Sequence, residues 1–125
     1  KKNKFIKEEK YNSEGLSDIY EIDYDSLGRI IKWSSSWVYK SKLEPPSGYY
    51  NKYDNNGNVI ERTNFDDGEN FYEEYGMKDM GETKEIRKYD SKNRETERLI
   101  GKLINKFGDE IFQPSEKYIY EYKFY

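Results

Sequence analysis

Cysteine and histidine are both absent from this chain. Without Cys there is no disulfide framework and no thiolate-held metal. Without His the commonest general base and the commonest metal ligand are gone together. Proline occurs three times and methionine twice in 125 residues. No apolar run approaches the ~20 residues that a membrane-spanning helix requires. Charge of one sign is also lacking. The net charge is −3, with Lys and Arg interleaved among Asp and Glu, so no basic stripe offers itself to nucleic acid. No cofactor is expected.

The hydrophobic fraction is 34% and the charged fraction 38%. Taken alone, those figures lean toward disorder, because little apolar surface is available to offset chain entropy. The aromatic content argues the other way: 18% of residues are aromatic, and fourteen of them are Tyr. A Tyr ring is apolar over most of its surface and polar at its tip, which suits a thin, half-wet sheet. The length fits a single domain over 1–125.

Self-similarity appears around Tyr-Asp. Tyr24-Asp25-Ser26-Leu27-Gly28-Arg29-Ile30-Ile31 is one copy, and Tyr53-Asp54-Asn55-Asn56-Gly57-Asn58-Val59-Ile60 a second. Tyr89-Asp90-Ser91-Lys92-Asn93-Arg94-Glu95-Thr96 is a third, and Tyr11-Asn12-Ser13-Glu14-Gly15-Leu16 a looser fourth. Asp or Asn opens a turn by accepting backbone amides two residues on. Gly closes it at a position that needs positive φ. Asn93 stands at that position in the third copy, and Asn tolerates it best after Gly. Each copy therefore predicts a β-hairpin.

With a four-residue loop from Asp to Gly, Ile22 faces Ile31, Glu21 faces Lys32 and Tyr20 faces Trp33. In the third copy Lys88 faces Glu95 and Glu85 faces Arg98. These are favourable antiparallel pairs. The looser copy fits less well, setting Glu9 opposite Asp18. Alternation supports strands at Tyr20 to Tyr24 and at Tyr118, Tyr120, Tyr122 and Phe124.

Between copies, further turns are expected at Pro45-Pro46-Ser47-Gly48, at Asp66-Asp67-Gly68 between Phe65 and Phe71-Tyr72, over Met77 to Gly81, at Phe107-Gly108-Asp109 and at Gln113-Pro114-Ser115. One segment carries two signals. Leu99, Ile100, Leu103, Ile104 and Phe107 fall at helical spacing ahead of Gly108, while Gly101 and the preceding turn favour a strand. The fold expected is all-β, with consecutive antiparallel hairpins in an extended twisted meander sheet, open or curled on itself. At most one short helix is expected, near 99–107.

The copies resemble the YD repeat family, also called RHS repeats, whose pattern is roughly Tyr-x-Tyr-Asp-x-x-Gly-Arg/Asn-Leu/Val/Ile. Ile22 to Ile30 and Lys52 to Val59 match it. Tyr89 to Thr96 departs, with Asn93 for Gly and Glu95 where an apolar residue is usual. The motifs cover about half of the chain. The resemblance implies a bacterial protein, secreted or at the cell surface. The shells that large members build around toxin domains are out of reach of so short a chain. Lys1-Lys2-Asn3-Lys4, with no Met, suits a segment following a removed signal or a lipidated Cys.

Catalytic readings are thin. Glu8-Glu9, Asp66-Asp67 and Glu73-Glu74 read as solvated strand and turn charges, not as two acids facing one pocket. Asp54 to Asn58 mimics a calcium loop, but Gly is fourth where an EF-hand loop requires it sixth. No catalytic and no metal-binding residue is assigned.

Trp33-Ser34-Ser35-Ser36-Trp37 is the most distinctive stretch. Residues four apart on a strand share a face, so Trp33 and Trp37 together with Tyr49 and Tyr50 form a candidate ligand platform. Burial in the sheet competes with that role for so large a ring. The functional expectation is a non-enzymatic repeat β-sheet module of an exported bacterial protein. It would act as a binding or structural element at the cell surface toward protein or carbohydrate. The alternatives are a carbohydrate-binding module and a toxin-neutralising immunity protein.

Overall fold

The computed structural model of the chain describes residues 3–66, 82–106 and 108–124. Among these residues there are nine strands and no helix. They are β1 (Lys4–Asn12), β2 (Gly15–Tyr24), β3 (Ile30–Tyr39), β4 (Lys42–Leu43), β5 (Ser47–Tyr53), β6 (Val59–Asp66), β7 (Thr83–Tyr89), β8 (Glu95–Lys106) and β9 (Asp109–Ile119). Hydrogen-bonded neighbours follow chain order, β1-β2-β3-β5-β6-β7-β8-β9, with β4 paired to β3 outside that path. The all-β meander of antiparallel hairpins is therefore the fold. The segment near 99–107 is strand: β8 runs through Lys106, because its residues pair with β7 and β9 on either side. The turns expected at Asp66-Asp67-Gly68 and over Met77 to Gly81 reach outside the described residues.

The Tyr-Asp copies form one turn, repeated bond for bond. The amide of Asp25 donates to the carbonyl of Arg29 at 2.8 Å, that of Asp54 to Asn58 at 2.9 Å, and that of Asp90 to Arg94 at 2.9 Å. Each Asp Oδ1 accepts two backbone amides, two and four residues on: Leu27 and Arg29, Asn56 and Asn58, Lys92 and Arg94. Each Oδ2 accepts the side chain four residues on, from Arg29 Nε at 2.7 Å, Asn58 Nδ2 at 3.2 Å and Arg94 Nε at 2.8 Å. Gly28, Gly57 and Asn93 hold φ of 81°, 84° and 62°, the left-handed conformation expected of them.

The loop is thus five residues long, one more than the sequence suggests. A β-bulge follows at Asp23/Tyr24 and at Lys88/Tyr89, adding a second one-residue shift. Ile22 consequently faces Trp33, Glu21 faces Ser34 and Tyr20 faces Ser35. Lys88 faces Glu97 and Glu85 faces Ile100. Partners move by two positions while the face of every side chain is kept. In the looser copy a bulge at Lys10/Tyr11 places Lys10, not Glu9, opposite Asp18.

The chain divides into two compact units, Lys1–Tyr50 with Asn64–Gly81, and Asn51–Thr63 with Glu82–Tyr125. In the first, β1 is exposed along its whole length. β3 and β4 are joined by Lys40 and Ser41, with φ of 50° and 63°, a two-residue turn of the hairpin kind. β5 begins at Ser47, directly after Pro46, and Gly48 lies against β3. A Cβ on Gly48 would collide with the Trp33 carbonyl oxygen and lie 2.7 Å from Ser34 Cα. Phe65, at 7% exposure, is the only buried hydrophobic side chain among the described residues. It meets the Tyr50 ring at 5.2 Å, with the Lys32 ammonium over both rings.

In the second unit, β7 to β9 continue the meander. Gln113-Pro114-Ser115 is not a turn. It lies inside β9, where Pro114 sits opposite Gly101 at a bulge. Proline is tolerated there because β9 is the last strand of the sheet order and its outer side needs no amide donor. Two rows of alternating charge cross this unit. Glu61 bridges Lys52 and Lys84, at 3.1 and 2.7 Å. Glu97 bridges Lys88 and Lys117, each at 3.2 Å. Lys84 and Lys88 alternate on β7, so both rows lie on one face. Arg98 clamps Glu95 through two bonds of 2.7 and 2.9 Å, which raises the guanidinium pKa further.

Successive turns of this unit touch. Asn58 Nδ2 donates to Asn93 Oδ1 at 2.9 Å. The Tyr89 hydroxyl donates to the Val59 carbonyl at 2.7 Å, and the Tyr122 hydroxyl to the Glu95 carbonyl at 2.7 Å. β9 ends at Ile119 and so takes in only Tyr118 of the alternating segment. Tyr122 and Phe124 nonetheless share a side, because both rings pack under the Arg94 guanidinium, at 5.0 and 5.1 Å.

Candidate functional site

The aromatic residues singled out from the sequence lie on β3 and β5, in the first unit. Antiparallel partners share a face, so the pairs Trp33↔Tyr49 and Lys32↔Tyr50 separate them. Trp33, Trp37 and Tyr49 are on one face. Tyr50 is on the other, against Phe65. The four-residue platform is therefore not assembled. Tyr49 and Tyr50 are adjacent on one strand and must point to opposite faces.

Trp33 is held between rings. Tyr49, on β5, stacks on it at 5.7 Å and 21°. Tyr20, on β2, flanks its other side at 6.3 Å and 37°. The Tyr20 contact predicted from the sequence is made, though diagonally, since the residue directly opposite Tyr20 is Ser35. With a ring neighbour on each flanking strand, the half-buried indole ties β2, β3 and β5 together.

Trp37 differs. It is 43% exposed, and Tyr39 lies two residues on along the same face, its ring at 5.8 Å. β2 sets Asp18 directly opposite Trp37. On the other side, the pairs Val38↔Leu43 and Tyr39↔Lys42 set the register of β4. That register continues one step: the Glu44 amide donates to the Trp37 carbonyl at 2.8 Å. Glu44 is thus the cross-strand partner of Trp37, on the same face. Glu44 is 5% exposed, and its Oε2 has no hydrogen-bond partner. Asp18 Oδ2 accepts the Ser17 hydroxyl at 2.8 Å.

Sequence reasoning missed Tyr39, Asp18 and Glu44 as companions of Trp37. Glu44 was hidden because nothing in Lys40-Ser41 announces a two-residue hairpin, which usually carries Asn-Gly or a similar pair. Asp18 was hidden by the bulge that shifts β2 against β3.

Two of the other acidic candidates have local partners. Glu9 pairs with Lys7 at 3.4 Å on exposed β1. Asp54 uses both oxygens as acceptors within its own turn. Asp67, Glu73 and Glu74 lie outside the described residues. Comparison of the chain with protein-family models, with curated proteins and with solved structures finds no match.

Proposed function

We propose that this chain is a YD-type repeat sheet of an exported bacterial protein, acting at the cell surface as a non-enzymatic binding element for a protein partner. The observation that carries the reading is the position of Trp37. It is a large exposed ring flanked by polar neighbours, on a sheet face whose other tryptophan is committed to packing. Tryptophan of this kind anchors interfaces out of proportion to its number. The repeated turn supports the YD-type assignment. Its Asp, Gly and Arg or Asn residues are all consumed by turn geometry, which leaves function to the segments between copies.

For a carbohydrate-binding role, Tyr50 is lost to the opposite face, and Trp33 and Tyr49 stack on each other, which leaves Trp37 as the exposed ring of the shared face. The test is the staining of intact bacterial cells by the fluorescently labelled chain, alongside a glycan array. Saturable staining of protease-sensitive sites is expected, with Trp37→Ala weakening it about tenfold, the effect of losing ~1.4 kcal/mol at one anchor. Absence of staining overturns the reading. Binding confined to glycans hands it to the carbohydrate alternative.

A further inference from the structure

β1 opens the sheet order, and among the described strands it pairs only with β2. Its outer edge therefore presents amides and carbonyls to solvent. All nine of its residues are exposed, with Phe5 at 55% and Tyr11 at 63%. The strand is regular throughout, because the shift at Lys10/Tyr11 falls on β2, where Ser17 is the extra residue. Sheet edges of this kind are normally guarded against pairing with another chain. β9, at the other end of the order, carries Pro114. β1 has no proline, and its guards are charges alone.

The order of those charges decides what they exclude. Phe5, Lys7, Glu9 and Tyr11 alternate along one face, where Lys7 pairs with Glu9 at 3.4 Å and the Tyr11 hydroxyl donates to Glu9. Two copies joined edge to edge as an antiparallel ladder are related by a dyad perpendicular to the sheet. Such a dyad keeps like faces together, so some residue must stand opposite its own copy. Placed on Glu8, it sets Lys7 opposite Glu9, Glu9 opposite Lys7, and Phe5 opposite Tyr11 at both ends. The four charges then close a square of alternating sign between two aromatic pairs. All nine residues find a partner. The cost is Glu8 facing its own copy on the reverse face, with the copy's Lys10 diagonally beside it. Moving the dyad to Lys7 or Glu9 opposes that residue to itself and parts Phe5 from Tyr11. A parallel pairing in register opposes every charge to its own kind.

We propose that β1 is a homodimerisation edge, its occupant the β1 edge of a second copy of this chain, with the dyad on Glu8. The two sheets join across it by strand addition. A single ladder of this length is a small interface, so the dimer is weak and reversible. It uses no residue of the Trp37 surface and stands or falls separately from the cell-surface reading.

Sedimentation equilibrium of the intact chain, up to about 1 mM to reach a weak complex, should show association that stops at the dimer. Glu9→Lys should weaken it about tenfold, since two attractive pairs become repulsive. Glu8→Gln should tighten it about threefold by removing the like-charge contact at the dyad. The chain has no cysteine, so a single introduced thiol can pair only with its own copy. Glu8→Cys should cross-link under mild oxidation, because opposed Cα atoms lie about 4.5–5.5 Å apart, within disulfide range. Lys4→Cys, about 27 Å from its copy in this register, should not. The cross-link keeps the test decisive if a charge variant perturbs β1. Four results overturn the edge: monomer alone at every concentration, open-ended growth past the dimer, a tighter dimer in Glu9→Lys than in Glu8→Gln, or equal cross-linking through Lys4→Cys and Glu8→Cys.

Discussion

Asp25, Asp54 and Asp90 show how much one side chain can organise. The opening Asp and the positive-φ residue were readable in the sequence, because both act through the local backbone. The return bond from Arg29, Asn58 or Arg94 was not. A polar residue after Gly reads as an ordinary solvated strand start, and only the closed loop reveals that it donates to Asp Oδ2. The middle turn is the cleanest place to weigh this, since its partner is neutral Asn58. Asp54→Ala strips the acceptor from two amides and one side-chain donor, and is expected to cost about 1–2 kcal/mol in urea unfolding. Asp54→Asn keeps Oδ1 and should lose less than half of that. Equal losses would assign the stability to charge and not to the bond pattern.

Strand identities were readable from alternation, and register was not. Two one-residue shifts, one from the fifth loop residue and one from the bulge, add to a two-residue error at both the first and third copies. Because side chains repeat every second residue, the error spared the faces, and Trp33 still meets Tyr20. Opposite parity decided the candidate platform: adjacent Tyr49 and Tyr50 were grouped by proximity in sequence, which on a strand means separation. The β5–β3 pairing also explains a glycine that looks like a turn residue. Gly48 sits within a strand, and its missing Cβ admits the backbone of Trp33 and Ser34. Gly48→Ala meets backbone, which cannot swing aside as a side chain can. A loss of roughly 2–3 kcal/mol is expected by chemical unfolding, at the upper end of overpacking costs. Gly57→Ala has open space around it and strains only φ, so it should cost less.

No enclosed interior was found among the described residues, and ion pairs carry part of the cohesion that a core would normally supply. Glu61 is held below the usual glutamate range chiefly by its bond to Lys84, and Glu95 by its bond to Arg98. Glu97 is lowered by Lys88 and then Lys117. A carboxylate whose folded pKa is depressed binds protons more readily when unfolded. Its stabilisation is therefore full above the ordinary value of 4.5 and is lost as pH falls through the folded value. With no His to titrate, stability should be level from about pH 8 to pH 5 and fall below that. Urea midpoints measured across this range check it, and Glu61→Gln should make the acid limb shallower. The tyrosines add a different consequence. Tyr89 and Tyr122 each fasten to the carbonyl five residues beyond the Asp of the preceding turn, so each acts as a stitch between one hairpin and the next. Under a pulling load on the C-terminal end, the Tyr122 stitch and the Arg94 cap over it bear the tension first, and the Tyr89 stitch is shielded until they part. Such a sheet would yield hairpin by hairpin, giving way in steps like a seam.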